Sequence, residues 1–200
     1  RSVSDIIIDH GVDVDRIKAS EKKENCFVVV SQLIERKRID KTITVFADFL
    51  TQGGEYKDYV LNIIGDGRQK EALESLTEKL GIGKNVIFYG QMPHEKLAPI
   101  VARAKAMLVY TEKDNNMVSV VESIAAGTPV VTTSVPFNAA YIKRENLGVV
   151  QDSWNRSVLN KICLKNEEYV RNCIAYREKL AADYTAGQFI KIFTKMKKKS

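Results

Sequence analysis

Short apolar runs alternate along most of the chain with stretches whose apolar residues recur at helical spacing. The run from Cys26 to Val30 is apolar throughout and flanked by polar residues, as in a strand buried on both faces. The stretch from Ile39 to Leu50 has its apolar residues near a 3.6-residue period, which predicts a helix. The same criteria predict strands at 59–64, 85–89, 106–110, 129–132 and 148–150, and helices at 68–80, 94–104, 117–126 and 138–144. From residue 155 onward the composition is helical, with an interruption near 182–185.

This alternation predicts the fold class. Continuous apolar strands separated by helices are typical of a parallel sheet covered on both faces, that is, a doubly wound, Rossmann-like α/β fold. Ligands of such folds bind beyond the carboxyl ends of the strands, where the strand order reverses. The candidate ligand-binding loops are therefore 31–38, 65–69, 90–93 and 111–117.

Composition narrows the function classes. Two hundred residues, 44% of them hydrophobic and 28% charged, fit a folded domain, and no apolar run approaches the ~20 residues of a membrane span. Three cysteines without C-x-x-C spacing fit a reducing compartment, and both histidines lie apart from them, so no metal site is predicted. The start at Arg1 suggests a piece of a longer protein.

Much of the net charge of +6 lies in one terminal cluster, Lys195, Lys197, Lys198 and Lys199. These lysines form either a solvated terminus or a contact for anionic lipid headgroups. Nucleic-acid binding is disfavoured because no aromatic residues interleave with the lysines to stack bases.

Three cations, Arg36, Lys37 and Arg38, follow the first predicted strand at the ligand-binding edge. They are either the solvated start of a helix or a site for phosphate. Because cations at a helix N-terminus oppose its dipole, a nearby anion would explain them better.

Gly65-Asp66-Gly67 follows the second predicted strand. It lacks the third glycine of a G-x-G-x-x-G fingerprint. The two glycines allow either close approach of a ligand or simple reversal of the chain into the next helix.

Two acids, Asp114 and Glu122, bracket the start of the predicted helix 117–126. If that helix begins near Asn116, the amides of Asn116, Met117 and Val118 point outward and can bind an anion. Glu122 lies among apolar residues and needs a partner, which is either the hydroxyl pair of a ribose or an internal salt bridge to a lysine or arginine.

Together these motifs resemble the carboxyl-terminal half of a retaining glycosyltransferase of the GT-B architecture, in the large family often numbered four. The resemblance covers about residues 8–150. In order, the matching pieces are His10-Gly-Val-Asp13, the Lys37 loop, Ile63-Ile-Gly-Asp-Gly67, Val86-Ile-Phe-Tyr-Gly90, and the acid-x7-acid helix that ends Ala-Ala-Gly127-Thr-Pro-Val-Val131.

The resemblance implies a role for each matching residue. Glu122 would hold the nucleotide ribose, Asp114 the hydroxyls of the transferred sugar, and Lys37 the donor diphosphate. The remaining implied contacts are Gly65 and Gly67 lining the nucleotide cleft, the segment of Tyr89 near the base, and the Asn116–Val118 amides on phosphate.

The chain departs from the family pattern at several of these positions. The family usually has arginine where Gln32 stands. The glutamine therefore removes one of the two cations from the diphosphate, unless Arg36 or Arg38 replaces it. Glutamate is usual at Asp114, asparagine at His10, and glycine-rich sequence at 115–117.

As a whole, the resemblance implies that residues 1–200 form a nucleotide-sugar-binding donor domain, with 151–200 a helical C-terminal extension. The acceptor domain would precede it outside this chain, and the acceptor would be a glycan or a lipid-linked molecule. The family needs no metal or other cofactor. The enzyme is expected to act in the cytoplasm, with peripheral contact at the inner membrane face. The chain alone would bind its donor weakly and transfer nothing.

Two other readings of the same residues stay open. One is an enzyme of the same architecture, either a sugar-nucleotide epimerase or a phosphorylase with lysine-bound pyridoxal. The other is a non-catalytic α/β nucleotide-binding module. A receiver domain is disfavoured because the predicted strand ends at Ser31 and Tyr89 lack the acids it requires.

Overall fold

Six parallel strands form one sheet in the computed structural model, which describes residues 12–181 and 186–187. The strands are β1 (Cys26–Val30), β2 (Val60–Ile64), β3 (Val86–Gly90), β4 (Ala106–Leu108), β5 (Val130–Thr132) and β6 (Gly148–Val150). Their order in the sheet is β3-β2-β1-β4-β5-β6, so the direction of winding reverses between β1 and β4. The predicted doubly wound α/β fold is confirmed.

Seven helices cover the sheet in the described ranges: α1 (Ile39–Leu50), α2 (Lys70–Lys79), α3 (His94–Arg103), α4 (Val118–Ala125), α5 (Asn138–Arg144), α6 (Arg156–Leu164) and α7 (Asn166–Tyr176). Successive strand side chains point to opposite faces of the sheet, so the apolar core forms two clusters. Phe27 belongs to the cluster with α1, α2 and α6, and Val28 belongs to the cluster with α3, α4 and α5. Because both faces are covered, the strands can be apolar at nearly every position.

The helices after β6 close this domain. Trp154, 1% exposed, donates its indole N–H to the carbonyl of Val109 at 3.0 Å. Arg177 donates to the carbonyls of Ala125 at the end of α4 and of Val14. The helical prediction from residue 155 is realised in α6 and α7, whereas the interruption at 182–185, His10 and the lysine cluster at 195–199 lie outside the described residues.

Two predicted helix starts need correction. Helix α2 begins at Lys70, two residues after the predicted start, because the amide of Gln69 donates to the carbonyl of Leu33 in another loop. Helix α4 begins at Val118, and the preceding Met117 has extended backbone angles. Within the described ranges, no helix is long and apolar enough to cross a membrane.

Candidate functional site

The loops after β1 and β4 meet at the point where the strand order reverses. The carbonyl of Arg36 accepts hydrogen bonds from the amide of Glu112 at 2.9 Å and from the hydroxyl of Thr111 at 3.2 Å. The two loops are thereby joined above the carboxyl ends of β1 and β4, where a doubly wound fold binds its ligand. The predicted candidate loops 31–38 and 111–117 are the two that make these contacts.

Lys37 and Asp114 form an ion pair across this junction. Their side chains are only 11% and 16% exposed, respectively, and the Thr111 hydroxyl lies 3.2 Å from Oδ2 of Asp114. The structure therefore brings together the residue proposed for the diphosphate and the residue proposed for the sugar. It pairs them with each other.

The neighbouring cation Arg38 also has acidic partners. Its backbone lies in the left-handed region at φ 45°, and its guanidinium bonds both carboxylate oxygens of Asp40 at 3.1 Å and also binds Glu112. Hydrogen bonds to Asp40 and Glu112 raise the pKa of Arg38, so it stays charged. The Arg38 guanidinium therefore already has carboxylate partners within the chain. The side chains of Gln32 and Arg36, on the same loop, are exposed.

The two glycines after β2 bring one loop close to another. A Cβ at Gly65, φ 137°, would lie 1.9 Å from the carbonyl oxygen of Ser31, and one at Gly67, φ 156°, would lie 2.5 Å from that of Leu33. The amide of Leu33 donates to the carbonyl of Asp66 at 2.9 Å. These glycines are required for backbone packing that holds the Lys37 loop in place, whereas their contact with a nucleotide stays a prediction.

The start of α4 is held by a residue that the sequence did not point to. Asn138 is fully buried, and its Oδ1 accepts a 2.7 Å hydrogen bond from the backbone amide of Met117. Its Nδ2 donates to the hydroxyl of Tyr141 at 2.9 Å. The prediction that the Met117 amide is open to an anion was therefore wrong. The first two helical amides, of Val118 and Ser119, have no acceptor within the helix by its geometry.

Glu122 has a histidine partner rather than the lysine or arginine considered above. Nε2 of His94, the first residue of α3, lies 3.4 Å from Oε1 of Glu122, and the Glu122 side chain is 29% exposed. Both side chains line a pocket that reaches Val30 at the end of β1. A second pocket, which Lys37 lines, also reaches Val30. Lys37 and Glu122 thus line two different pockets, both of which Val30 also lines.

The remaining predicted positions lie along the same edge. Tyr89, 40% exposed, is near the carboxyl end of the outermost strand β3, two strands from β1. Asn116 is partly buried in the loop that leads to α4. Among the side chains of residues 12–181 and 186–187, no group of three or more His, Cys, Asp or Glu is placed to hold a metal ion.

Comparison with known proteins decides the family. The model of the family described as "Glycosyl transferases group 1" matches residues 13–179. The chain belongs to that family. The match runs past residue 150, so α6 and α7 are part of the family's pattern too.

Individual relatives agree with this assignment. The lipopolysaccharide glucosyltransferase WaaG of Escherichia coli (strain K12) is 27% identical over 146 residues, which are 72% of this chain and 38% of WaaG. This member of the glycosyl transferases group 1 family therefore spans about two fifths of that relative's length.

Two solved structures share the fold. The C-terminal domain of LpcC, a glycosyl transferase group 1 family protein of Francisella tularensis, superposes with a TM-score of 0.73 at 15% identity and covers 86% of this chain and 99% of that one. Anabaena HepE, solved in complex with UDP, gives a TM-score of 0.73 at 15% identity over 92% of this chain and 56% of HepE. The resemblance predicted from the motifs is confirmed, and none of these findings favours the epimerase alternative.

Proposed function

We propose that this chain binds a nucleoside-diphosphate sugar at the junction of the β1 and β4 loops, as the donor half of a glycosyltransferase. The observation that carries this proposal is the arrangement of Lys37, Asp114 and Glu122 around the carboxyl ends of β1 and β4. A family member of this fold binds its ligand at that edge for a general physical reason: loops, helix N-termini and polar side chains converge there. The UDP complex of HepE and the name of WaaG support the same class of ligand.

The diphosphate would lie between Lys37 and the start of α4. The amides of Val118 and Ser119 supply hydrogen-bond donors at the positive end of a helix, and Lys37 supplies a mobile charge. To reach the phosphate, Lys37 exchanges the Asp114 carboxylate for a phosphate oxygen. Asp114 is then available to accept hydrogen bonds from the hydroxyls of the sugar.

The nucleoside would extend over the Glu122 pocket. The Glu122 carboxylate can accept two hydrogen bonds from the two hydroxyls of a ribose. The base would lie toward the glycine loop at 65–67 and the segment of Tyr89, which is 40% exposed. Gln32 is near the phosphate end, on the same loop as Lys37.

We propose that donor binding needs no metal ion. Lys37 and the α4 amides place positive charge where the leaving diphosphate develops negative charge, which is the work that magnesium does in other transferases. UDP affinity should therefore be the same in excess EDTA and in millimolar MgCl2. A strict requirement for magnesium would contradict this.

The region aligned with WaaG covers 38% of that relative. For the whole enzyme we propose retaining transfer of a hexosyl group to a glycan or lipid-linked acceptor. The acceptor would bind a preceding domain outside this chain. We place the reaction in the cytoplasm, with peripheral contact between the lysine cluster 195–199 and the inner membrane face. Co-sedimentation with anionic vesicles should fall when these lysines are replaced by glutamine, because each contributes about 1 kcal/mol near such a surface.

The site is tested by titration calorimetry of the chain with UDP and GDP. We expect at least one of them to bind, and Glu122→Ala to weaken it by more than tenfold because a charged partner of two hydroxyls is lost. Glu71→Ala, which removes an exposed acid from α2, is the matched control and should bind like the wild type. If Glu122→Ala binds the nucleotide with wild-type affinity, the ribose assignment is contradicted. If neither UDP nor GDP gives a heat of binding, a binding module of another kind is favoured.

A further inference from the structure

A histidine outside the motifs that carry the family resemblance reaches the Glu122 carboxylate from a different helix. His94 Nε2 lies 3.4 Å from Glu122 Oε1, with the imidazole 44% exposed and the carboxylate 29% exposed. The two residues are far apart in sequence, on α3 and α4, and both line the pocket that ends at Val30. The contact therefore joins two walls of the proposed nucleoside pocket.

The backbone that carries His94 is fixed. Helix α3 starts at His94, and the carbonyl of Pro93 accepts the amides of Lys96 at 3.0 Å and Leu97 at 3.1 Å. Leu97 packs against the apolar core on the α3 face of the sheet. The imidazole is thus presented from a rigid helix start toward α4.

The Glu122 carboxylate, by contrast, ends a flexible side chain. Glutamate has three rotatable side-chain bonds, and the neighbouring residues of α4, Val121 and Ser123, are buried and offer it no charge. A partner on one oxygen selects one orientation out of several. A carboxylate has about four acceptor positions, so the contact with His94 at Oε1 leaves room for two hydroxyls.

We propose that His94 is a positioning residue that holds the Glu122 carboxylate in the orientation that accepts the ribose hydroxyls of a nucleoside diphosphate. This inference rests on the proposed function, since it concerns the same site. In this proposal His94 acts through Glu122: its Nε2–H, now 3.4 Å away, donates to Oε1, and the other lone pairs of the carboxylate accept the ribose hydroxyls. A nucleotide then meets a carboxylate that is already oriented, which lowers the cost of ordering it on binding.

The test is a double-mutant cycle on nucleotide affinity, with UDP as the probe, or GDP if the wild-type chain prefers it. We expect His94→Ala to weaken binding about tenfold, the effect of one hydrogen bond to a charged group. His94→Gln, whose side-chain amide can donate to the same carboxylate, should recover most of that loss. In the Glu122→Ala background, adding His94→Ala should cause no further loss, because the residue through which His94 acts is gone.

Controls separate positioning from a structural role. Glu95→Ala changes the next residue of the same helix turn, which is also exposed, and should leave affinity unchanged. The melting temperature of each unliganded variant reports any general loss of stability, and the expected affinity changes should appear without a matching change in it.

Two failures are distinguishable. If Glu122→Ala binds the nucleotide like the wild type, the ribose assignment itself fails. If Glu122→Ala weakens binding but His94→Ala does not, or if the two losses add in the double variant, the site stands and the positioning role of His94 is overturned. A His94→Gln variant as weak as His94→Ala would overturn the hydrogen-bond account in the same way.

Discussion

At the scale of single residues, the site is a set of charges that the chain pairs internally. Lys37 pairs with Asp114 and Arg38 with Glu112 across the two loops, and Arg38 also pairs with Asp40 in α1. The three adjacent cations of the sequence suggested a missing anion, and for two of them, Lys37 and Arg38, the structure supplies carboxylates. A phosphate ligand must therefore compete with an internal acid for Lys37, so affinity depends on the acid as well as on the lysine.

This competition gives the first prediction. Asp114→Asn should tighten the binding of UDP, by up to about tenfold, because it removes the carboxylate that holds Lys37 and leaves the lysine charge free for phosphate. The gain should be smaller for a UDP-sugar, since the sugar loses an acceptor at the same position. Calorimetric titration of both ligands measures the difference.

Asp58→Asn makes the same change of charge at an exposed position near β2 and serves as the matched control. It should leave both affinities unchanged. Weaker UDP binding in Asp114→Asn would show that the carboxylate supports the diphosphate and does not compete with it.

A second prediction concerns a lysine at the opposite end of the sheet. Lys23 donates to the carbonyl of Ala102 at 2.6 Å and to the hydroxyl of Thr128 at 2.9 Å, and burial lowers its pKa to about 8 from 10.5. The folded chain thus releases this proton at lower pH than the unfolded chain. Its contribution to stability rises as the pH increases from about 8 to 10.5.

Lys23→Met removes this titration while keeping the length of the side chain. The free energy of unfolding of the wild type, relative to this variant, should increase by roughly 3 kcal/mol between pH 7.5 and pH 10.5. Urea denaturation at both pH values measures it, and groups common to both proteins cancel in the difference. A difference that stays constant or falls would mean that Lys23 is not desolvated in the fold.

At the scale of elements, the sequence predicts most of the fold and only part of the site. The bounds of β1, α1, α5 and β6 follow from local periodicity and agree with the structure residue for residue. The start of α4 does not follow, because it depends on Asn138, which lies 21 residues after Met117 in the chain. The pairing of Glu122 with His94 and the packing of Gly67 on Leu33 likewise join distant segments, and no local pattern reports such contacts.

The dependence of α4 on Asn138 gives a third prediction. Asn138→Ala leaves the amide of Met117 without its acceptor in a buried place, which should lower the free energy of unfolding by about 2 kcal/mol. Nucleotide affinity should fall as well, since the first turn of α4 carries the proposed phosphate amides. Urea denaturation and UDP titration check the two effects.

The comparison for this variant is Asn155→Ala, which removes the cap of α6, where the Asn155 side chain accepts the amide of Ser157 at 2.9 Å. That change should lower stability by about 1 kcal/mol and leave nucleotide affinity unchanged. If wild type and Asn138→Ala bind UDP with equal affinity, the proposal that the first amides of α4 bind the phosphate is contradicted.

At the scale of the whole molecule, the family member described here is one doubly wound domain whose ligand edge is open. Its sheet, with the reversal between β1 and β4, places the Lys37 and Asp114 loops face to face. Its aligned residues cover 38% of WaaG, and the acceptor is proposed above to bind a preceding domain. Fold and family are evident from the motifs, whereas no motif names the base, the sugar or the acceptor.

A fourth prediction follows at this scale. The 200-residue chain should bind a nucleotide-sugar and yet release no nucleoside diphosphate from it in the presence of glycan or lipid acceptors. A coupled assay for released UDP measures this, with the intact relative WaaG as the positive control. Transfer by the isolated chain would show that it holds a complete active site.

The most direct test of the central claim is a crystal structure of this chain with UDP. We expect the diphosphate within hydrogen-bond distance of Lys37 Nζ and of the amides of Val118 and Ser119, with the ribose hydroxyls on Glu122 and with Asp114 released from Lys37. UDP bound elsewhere, with the Lys37–Asp114 ion pair intact and Glu122 in contact with His94 but not with the ribose, would contradict the account.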